Sequence, residues 1–253
     1  MNDNRQSVRS VERALQLLKC FSFDRKRMSL AELSVASGLP KPTVFRLLVP
    51  LEQYHFIKRD EKSQTYSLGI ELFQLGQIVQ SDLELRRIAL PVMEELCEKT
   101  GETININILQ GKERVCIEKI EGKHGLRQFV EVGKSMTLFR GASGKVLLAF
   151  LPQEHQLEII KDAEEYLGTD VAGLRNRLEQ IKSDGFAVSY DERVLGAAAV
   201  SVPIVNHAGK LVGGLTISGA TVRMTADKAK EYVQLAVDAA KRISKMLGYK
   251  DRM

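Results

Sequence analysis

Residues 29–51 read SLAELSVASGLPKPTVFRLLVPL. Ser29 stands three positions before Glu32, the spacing at which a serine caps a helix and a glutamate reaches back to the cap backbone. The helix so opened is short, because Gly38 follows, and glycine takes the left-handed backbone that ends a helix. Pro40 and Pro42 then fall where a first helical turn tolerates a missing N–H. Val44, Leu47, Leu48 and Leu51 recur at three- and four-residue spacing and make one apolar stripe. Helix, tight glycine turn and helix is the helix-turn-helix arrangement. Ser34 is small where the two helices must cross, and Val44 and Leu48 are spaced to pack into the crossing. The second helix presents Lys41, Thr43, Phe45 and Arg46 near its N-terminus, the end of a recognition helix that enters the major groove. Arg46 suits a bidentate guanine contact or a phosphate. Thr43, with the amides of the helix start, suits a phosphate.

Working outward, residues 10–20 (SVERALQLLKC) place Val11, Ala14, Leu15 and Leu18 at helical spacing, and a polar loop, SFDRKRM, follows. Beyond the second helix, residues 56–59 (FIKR) and 65–68 (TYSL) are short β-prone runs around the turn DEKSQ, a hairpin wing with Lys62 at its tip beside Lys58 and Arg59. The candidate DNA-contacting set is Ser29, Lys41, Thr43, Phe45, Arg46, Lys58 and Lys62. Charge agrees with that assignment. The chain of 253 residues carries a net charge of +5, and residues 1–70 alone hold 12 Lys and Arg against 7 Asp and Glu. The rest is neutral, so the positive excess sits in one small module, the footprint of phosphate binding. A winged helix that only packs against another protein is the competing reading, and the basic wing and helix start weigh against it.

Residues 70–79 (IELFQLGQIV) form an amphipathic connector without a Pro, Gly or Ser cluster, a semi-rigid helix that serves either as a dimer contact or as packing on the wing. Ser81 and Asp82 are expected to cap the next helix, which ends at Thr100-Gly101. From Thr103 the period changes from helical to alternating. Strands are expected at 104–110, 114–120, 128–132, 186–189, 198–205 and 211–218, with helices at 143–150, 154–160, 171–183 and 225–247. The fold class is α+β: a winged helix-turn-helix over residues 1–69, a linker helix over 70–82, and an antiparallel sheet with flanking helices over 83–253.

Two places in the last domain suit a ligand. Residues 140–145 (RGASGK) bring small residues to a helix start, where backbone amides and the helix dipole favour an anion such as a carboxylate; the plainer alternative is that Ser143 only caps that helix. Ala197, Ala198 and Ala199 face a strand bearing Thr216 and Ser218, which reads either as a cavity with polar anchors or as close strand packing.

Chemistry is sparse elsewhere. Gly133-Lys134-Ser135 fails as a phosphate loop because Gln128 stands where the upstream glycine belongs. The four histidines lack metal-ligand spacing, and Gly-Ala-Ser-Gly is not a nucleophile elbow. No catalytic residue, metal or cofactor is expected. An enzyme with a regulatory DNA-binding head is the alternative from another class. The three cysteines are widely spaced and odd in number, and neither a signal peptide nor a transmembrane run is evident, so a cytoplasmic protein without a membrane partner is expected.

Several blocks taken together resemble the IclR family of transcription regulators: SVERALQLL, LAELSVASGLPKPTVFRLL, YSLGIELFQLG, LRRIALPVMEELCEKTGET, GASGKVLLAFL and DERVLGAAAVSVPIVNHAGKLVGGLTISG. The resemblance implies a GAF/PAS-like C-terminal domain that binds a small organic effector. It also implies a homodimer or homotetramer on a palindromic operator and a repressor role. Carried over by position, it places effector contacts at Gln128, Met136, Ala142, Ser143, Ser189, Ala197, Ala199, Thr216 and Ser218. Pro42 stands where the family shows Ser or Thr, so that a phosphate contact is either lost or moved to Thr43. The alanines at 197–199 imply a roomy cavity.

Overall fold

The computed structural model describes residues 8–124, 131–167 and 171–250. Its contacts divide the chain into two compact units, residues 1–82 and 83–253.

The first unit begins with α1 (Arg9–Lys19), then β1 (Met28–Ser29), α2 (Leu30–Ser37) and α3 (Lys41–Gln53). The Ser29–Glu32 capping box forms in both directions, and Gly38 ends α2 with a left-handed backbone, φ +69°. The Ser34 hydroxyl donates to the Leu39 carbonyl at 2.6 Å, tying the turn to α2. The wing is β2 (Ile57–Asp60) and β3 (Thr65–Leu68), followed by α4 (Ile70–Asp82). The end of the polar loop before α2 is not loop: β1 pairs antiparallel with β3, with Met28 opposite Tyr66, so the wing sheet has three strands in the order β1-β3-β2. Leu17, Phe21, Met28, Leu33, Val44, Leu48, Ile57 and Tyr66 form the buried core. The apolar stripe of α3 thus faces inward through Val44 and Leu48, with Leu47 half-buried beside them, which leaves Phe45 and Arg46 to face out.

The second unit opens with α5 (Glu84–Thr100), and here the expected Ser81–Asp82 cap is corrected. Both residues lie within α4, and the N-cap of α5 is Leu83, which makes no side-chain capping bond. Then come β4 (Thr103–Gln110), β5 (Glu113–Ile120), β6 (Ser135–Thr137), α6 (Ala142–Ala149), α7 (Gln153–Leu167), α8 (Val171–Asp184), β7 (Ala187–Tyr190), β8 (Ala197–Val205), β9 (Leu211–Ala220) and α9 (Ala226–Met246). The strand expected over 128–132 is corrected only at its last two residues. Gln128 and its neighbours to 130 lie outside the described residues, Glu131 and Val132 are not in a strand, and the edge strand is β6.

The six strands form one antiparallel sheet in the order β6-β5-β4-β9-β8-β7. Side chains alternate across it, and both faces are covered. Ile104, Ile106, Val200, Val202, Leu215 and Ile217 pack under α5 and α9. The other face carries α6, and through α6 the helices α7 and α8, in a second core that includes Leu138, Val146, Leu147, Leu178 and Ala199. On that second face the strands supply polar residues: Asn105, Asn107, Arg114, Ser189, Ser201, Thr216 and Ser218, all buried. A polar strand face buried beneath a helix has to be satisfied by hydrogen bonds or by a ligand.

Among the described residues no helix is long and apolar enough to cross a membrane, and no group of three or more His, Cys, Asp or Glu gathers to hold a metal.

Candidate functional site

In the first unit, Lys41, Phe45 and Arg46 are exposed at the start of α3, and Thr43 is half-buried. The supply of helix-start amides is smaller than the sequence suggests. Pro42 has no N–H, and the Thr43 amide already donates to the Pro40 carbonyl at 2.9 Å. What remains for a phosphate is the Lys41 amide, the Thr43 hydroxyl and the two cationic side chains. Ser29 is taken up by the capping box, its hydroxyl 2.8 Å from the Glu32 carboxylate.

On the wing, Lys58 and Lys62 are exposed. The turn between them is shaped by Asp60, whose carboxylate accepts from the amides of Lys62 and Ser63 at 2.9 and 3.2 Å. The amides of Ser63 and Lys62 hold that carboxyl below its usual range. Arg59 lies 5.8 Å over the Tyr66 ring and donates to Gln64, so it braces the hairpin. Arg27, which sequence reading left in the loop, lines the same shallow wing groove as Lys58 and Lys62 because β1 carries it there.

In the second unit a narrow cleft, with about 20 Å³ of free space inside it, opens between the polar sheet face and the start of α6. Of the effector residues expected from sequence, Ala142, Ser143, Ser189, Ala197, Ala199 and Thr216 line it. Met136 lies beside it on β6, opposite Arg114 in the strand register. Ser218 is set behind the lining, where its hydroxyl accepts from the Asn105 amide and donates to the Thr103 carbonyl, both at 3.3 Å. Gln128 lies outside the described residues. Ser143 is not a cap. Gly141 is the N-cap of α6 and makes no side-chain cap bond, while the Ser143 hydroxyl accepts from Nη1 of Arg114.

The cleft holds three charged residues that sequence reading did not single out: Arg114, Glu192 and Arg193. Arg114 is 1% exposed. Its Nε donates to the Thr137 carbonyl at 3.2 Å, and Nη1 also lies 3.5 Å from Oδ1 of Asn107, which is in turn tied to Asn105 at 2.7 Å. Among the described residues no carboxylate pairs with Arg114. Burial, with the charge of Arg193 beside it, pulls the guanidinium down to about 9, still a cation at neutral pH. Arg193 enters from the turn between β7 and β8, and burial lowers it too. The carboxylate of Glu192, from the same turn, is already occupied: it accepts the Gly141 amide at 2.9 Å and pairs with buried Lys145. The long side chains of Arg114, Glu192 and Arg193 therefore share the space that the alanines leave. A signal for Arg114 was present, since alternation in ERVCIEKI sets it on one face with Cys116, an arginine aimed at a sheet interior.

The floor of the cleft depends on close approach of α6. A Cβ on Gly144 would lie 2.6 Å from the Leu138 carbonyl oxygen and 3.0 Å from that of Thr137. Gly144→Ala is expected to lift the helix start from the strand that also anchors Arg114, at about 1–3 kcal/mol. Urea unfolding of the full-length protein checks this, and an unchanged midpoint would show that the contact is not tight.

Two family models match this chain. One is described as the IclR helix-turn-helix domain, over residues 10–61, and the other as the bacterial transcriptional regulator IclR C-terminal domain, over residues 77–245. The chain is 35% identical to the HTH-type transcriptional regulator KipR of Bacillus subtilis over 246 residues, covering 95% of this chain and 98% of KipR. It is 29% identical to the HTH-type transcriptional repressor AllR of Escherichia coli, covering 97% and 92%. Its fold is also that of an IclR homolog from Microbacterium hydrocarbonoxydans, solved in complex with 4-hydroxybenzoate, at TM-score 0.80, 22% identity and coverage of 94% and 98%.

Proposed function

The chain belongs to the IclR family of transcriptional regulators, and from that premise we propose that it is a cytoplasmic repressor, without enzymatic activity, released from or retained on its operator by a carboxylate-bearing effector. The observation that carries the effector class is Arg114, a buried cation at the cleft that pairs with no carboxylate among the described residues, Glu192 of the lining being committed to Lys145. An isolated buried charge is costly, so such a site is suited to a ligand that brings the missing anion. The Microbacterium protein holds 4-hydroxybenzoate, itself a carboxylate; at that identity the likeness concerns the fold, and the cleft of this chain speaks for its own ligand. The repressor role is supported by the likeness to AllR.

The regulator works as a homodimer or a pair of dimers on a palindromic site. Support lies in the apolar side chains that the first unit exposes: Val11 and Leu15 on α1, and Ile70, Phe73 and Val79 on α4. Exposed apolar faces of this extent in one small unit suit burial against a second copy. Two helix-turn-helix units then read two half-sites, and the effector acts through its difference in affinity between two arrangements of the pair. Within that scheme the DNA contacts are Lys41, Thr43, Phe45, Arg46, Lys58 and Lys62, with Ser29 holding the start of α2.

The test is footprinting and fluorescence anisotropy on the intergenic DNA beside the protein's own gene, at two salt concentrations, with and without small carboxylic acids. A salt-sensitive, palindromic footprint that a carboxylate alters is expected. A footprint indifferent to every carboxylate would remove the effector class. Arg46→Ala should weaken specific binding by about 1–3 kcal/mol, roughly 5- to 150-fold, and unchanged operator affinity would remove Arg46 from the interface.

A further inference from the structure

We propose that the cleft of the second unit is built for a dianion, carried on two carboxylates or on one phosphate group, with Arg114 and Arg193 each taking part of the charge. The inference rests on the carboxylate reading of that cleft and narrows it.

Gly141 stands between the two arginines. A Cβ there would lie 3.7 Å from Cδ of Arg193 and 4.0 Å from Nη2 of Arg114. Both side chains line the cleft, and among the described residues neither has a carboxylate partner. Among the described residues, Nη2 of Arg114 has no acceptor once Nε and Nη1 are bonded. The acidic groups nearby are already engaged. Glu192 holds Lys145 and the Gly141 amide, and Asp191 accepts the Gly196 amide at 2.6 Å. The one carboxylate among the residues lining the cleft, Glu192, is thus committed to Lys145, while Arg114 and Arg193 face the cleft and Arg140 adds a further cation at the start of α6, whose dipole adds to the positive side. One carboxylate from a ligand answers one guanidinium and leaves the second desolvated without a counter-charge. Arg114 offers its remaining Nη2 and Arg193 its guanidinium, two cationic donors on either side of Gly141 that suit two negative charges.

The test follows the melting temperature of the full-length protein at constant ionic strength as paired anions are titrated: butyrate with succinate, hexanoate with adipate, benzoate with terephthalate, and inorganic phosphate alone. At least one dianion is expected to half-saturate at a concentration about tenfold or more below that of its monoanionic partner. Arg193→Gln should bring that dianion up to the concentration its partner needs. A response from the dicarboxylates alone assigns the charge to two groups, and a matching response from phosphate assigns it to one. Equal half-saturation within every pair, or equal weakening of both members by Arg193→Gln, would overturn the dianion proposal and leave the carboxylate reading standing. No shift with any of the seven probes would overturn both.

Discussion

Arg223→Ala should destabilise the full-length protein by about 3–5 kcal/mol, because it strands a carboxylate in the interior of the second unit. Glu102 is 2% exposed and is held by Arg223 through two bonds, 2.6 Å to Nε and 2.7 Å to Nη2. The carboxylate is wedged against the backbone: a Cβ on Gly219 would lie 2.4 Å from its Oε2. It therefore has little room to turn toward solvent once its partner is gone. His124, with Nε2 3.9 Å away, is a distant substitute and is cationic only when protonated. Rescue separates a stranded charge from lost packing: adding Glu102→Gln to Arg223→Ala should recover much of the loss, because it removes the stranded charge. Urea midpoints of the single and double variants measure this, and a loss that Glu102→Gln does not relieve would sink the account.

Leu48→Ala is the second large effect, and it falls on the other unit. Leu48 is 1% exposed and belongs to a core of eight buried residues, so truncation should cost about 2–5 kcal/mol. A unit of this size holds little more than that in total. The expected result is loss of operator binding at 37 °C together with an early, separate urea transition, while the transition of the second unit stays in place. Val49→Ala, at an exposed position on the same helix, is the control and should do neither. Retention of operator affinity by Leu48→Ala would mean that the first unit has a larger reserve of stability than its core suggests.

The helix-turn-helix was legible because each of its signals is local. A capping box, a glycine obliged to take positive φ and an apolar stripe of period 3.6 act within a few residues, and all three stand in the structure. The strands from 186 onward and the helices were legible for the same reason. Shorter features escaped. The two-residue β1 has no period to detect and exists only because β3 offers it an edge, and that pairing is what brings Arg27 to the wing. β6, only three residues long, likewise depends on β5.

By itself, then, the sequence determined the class of the molecule: a basic winged helix followed by an α+β domain, with small residues and hydroxyls at 142–143, 189, 197–199 and 216 that now line one cleft. Periodicity and caps are short-range, and they survive translation into three dimensions. Only the tertiary structure decided what that cleft contains. Alternation showed that Asn105 and Asn107 share a face, yet whether that face met water or a helix depended on α6 crossing it from far along the chain. Burial by α6 turned Arg114 from an ordinary strand residue into an enclosed cation that no carboxylate of the described residues pairs with. The β7–β8 turn added Arg193 beside it and committed Glu192 to Lys145. Charge balance in a buried site is a sum over elements distant in sequence, and it exists only once they are packed together.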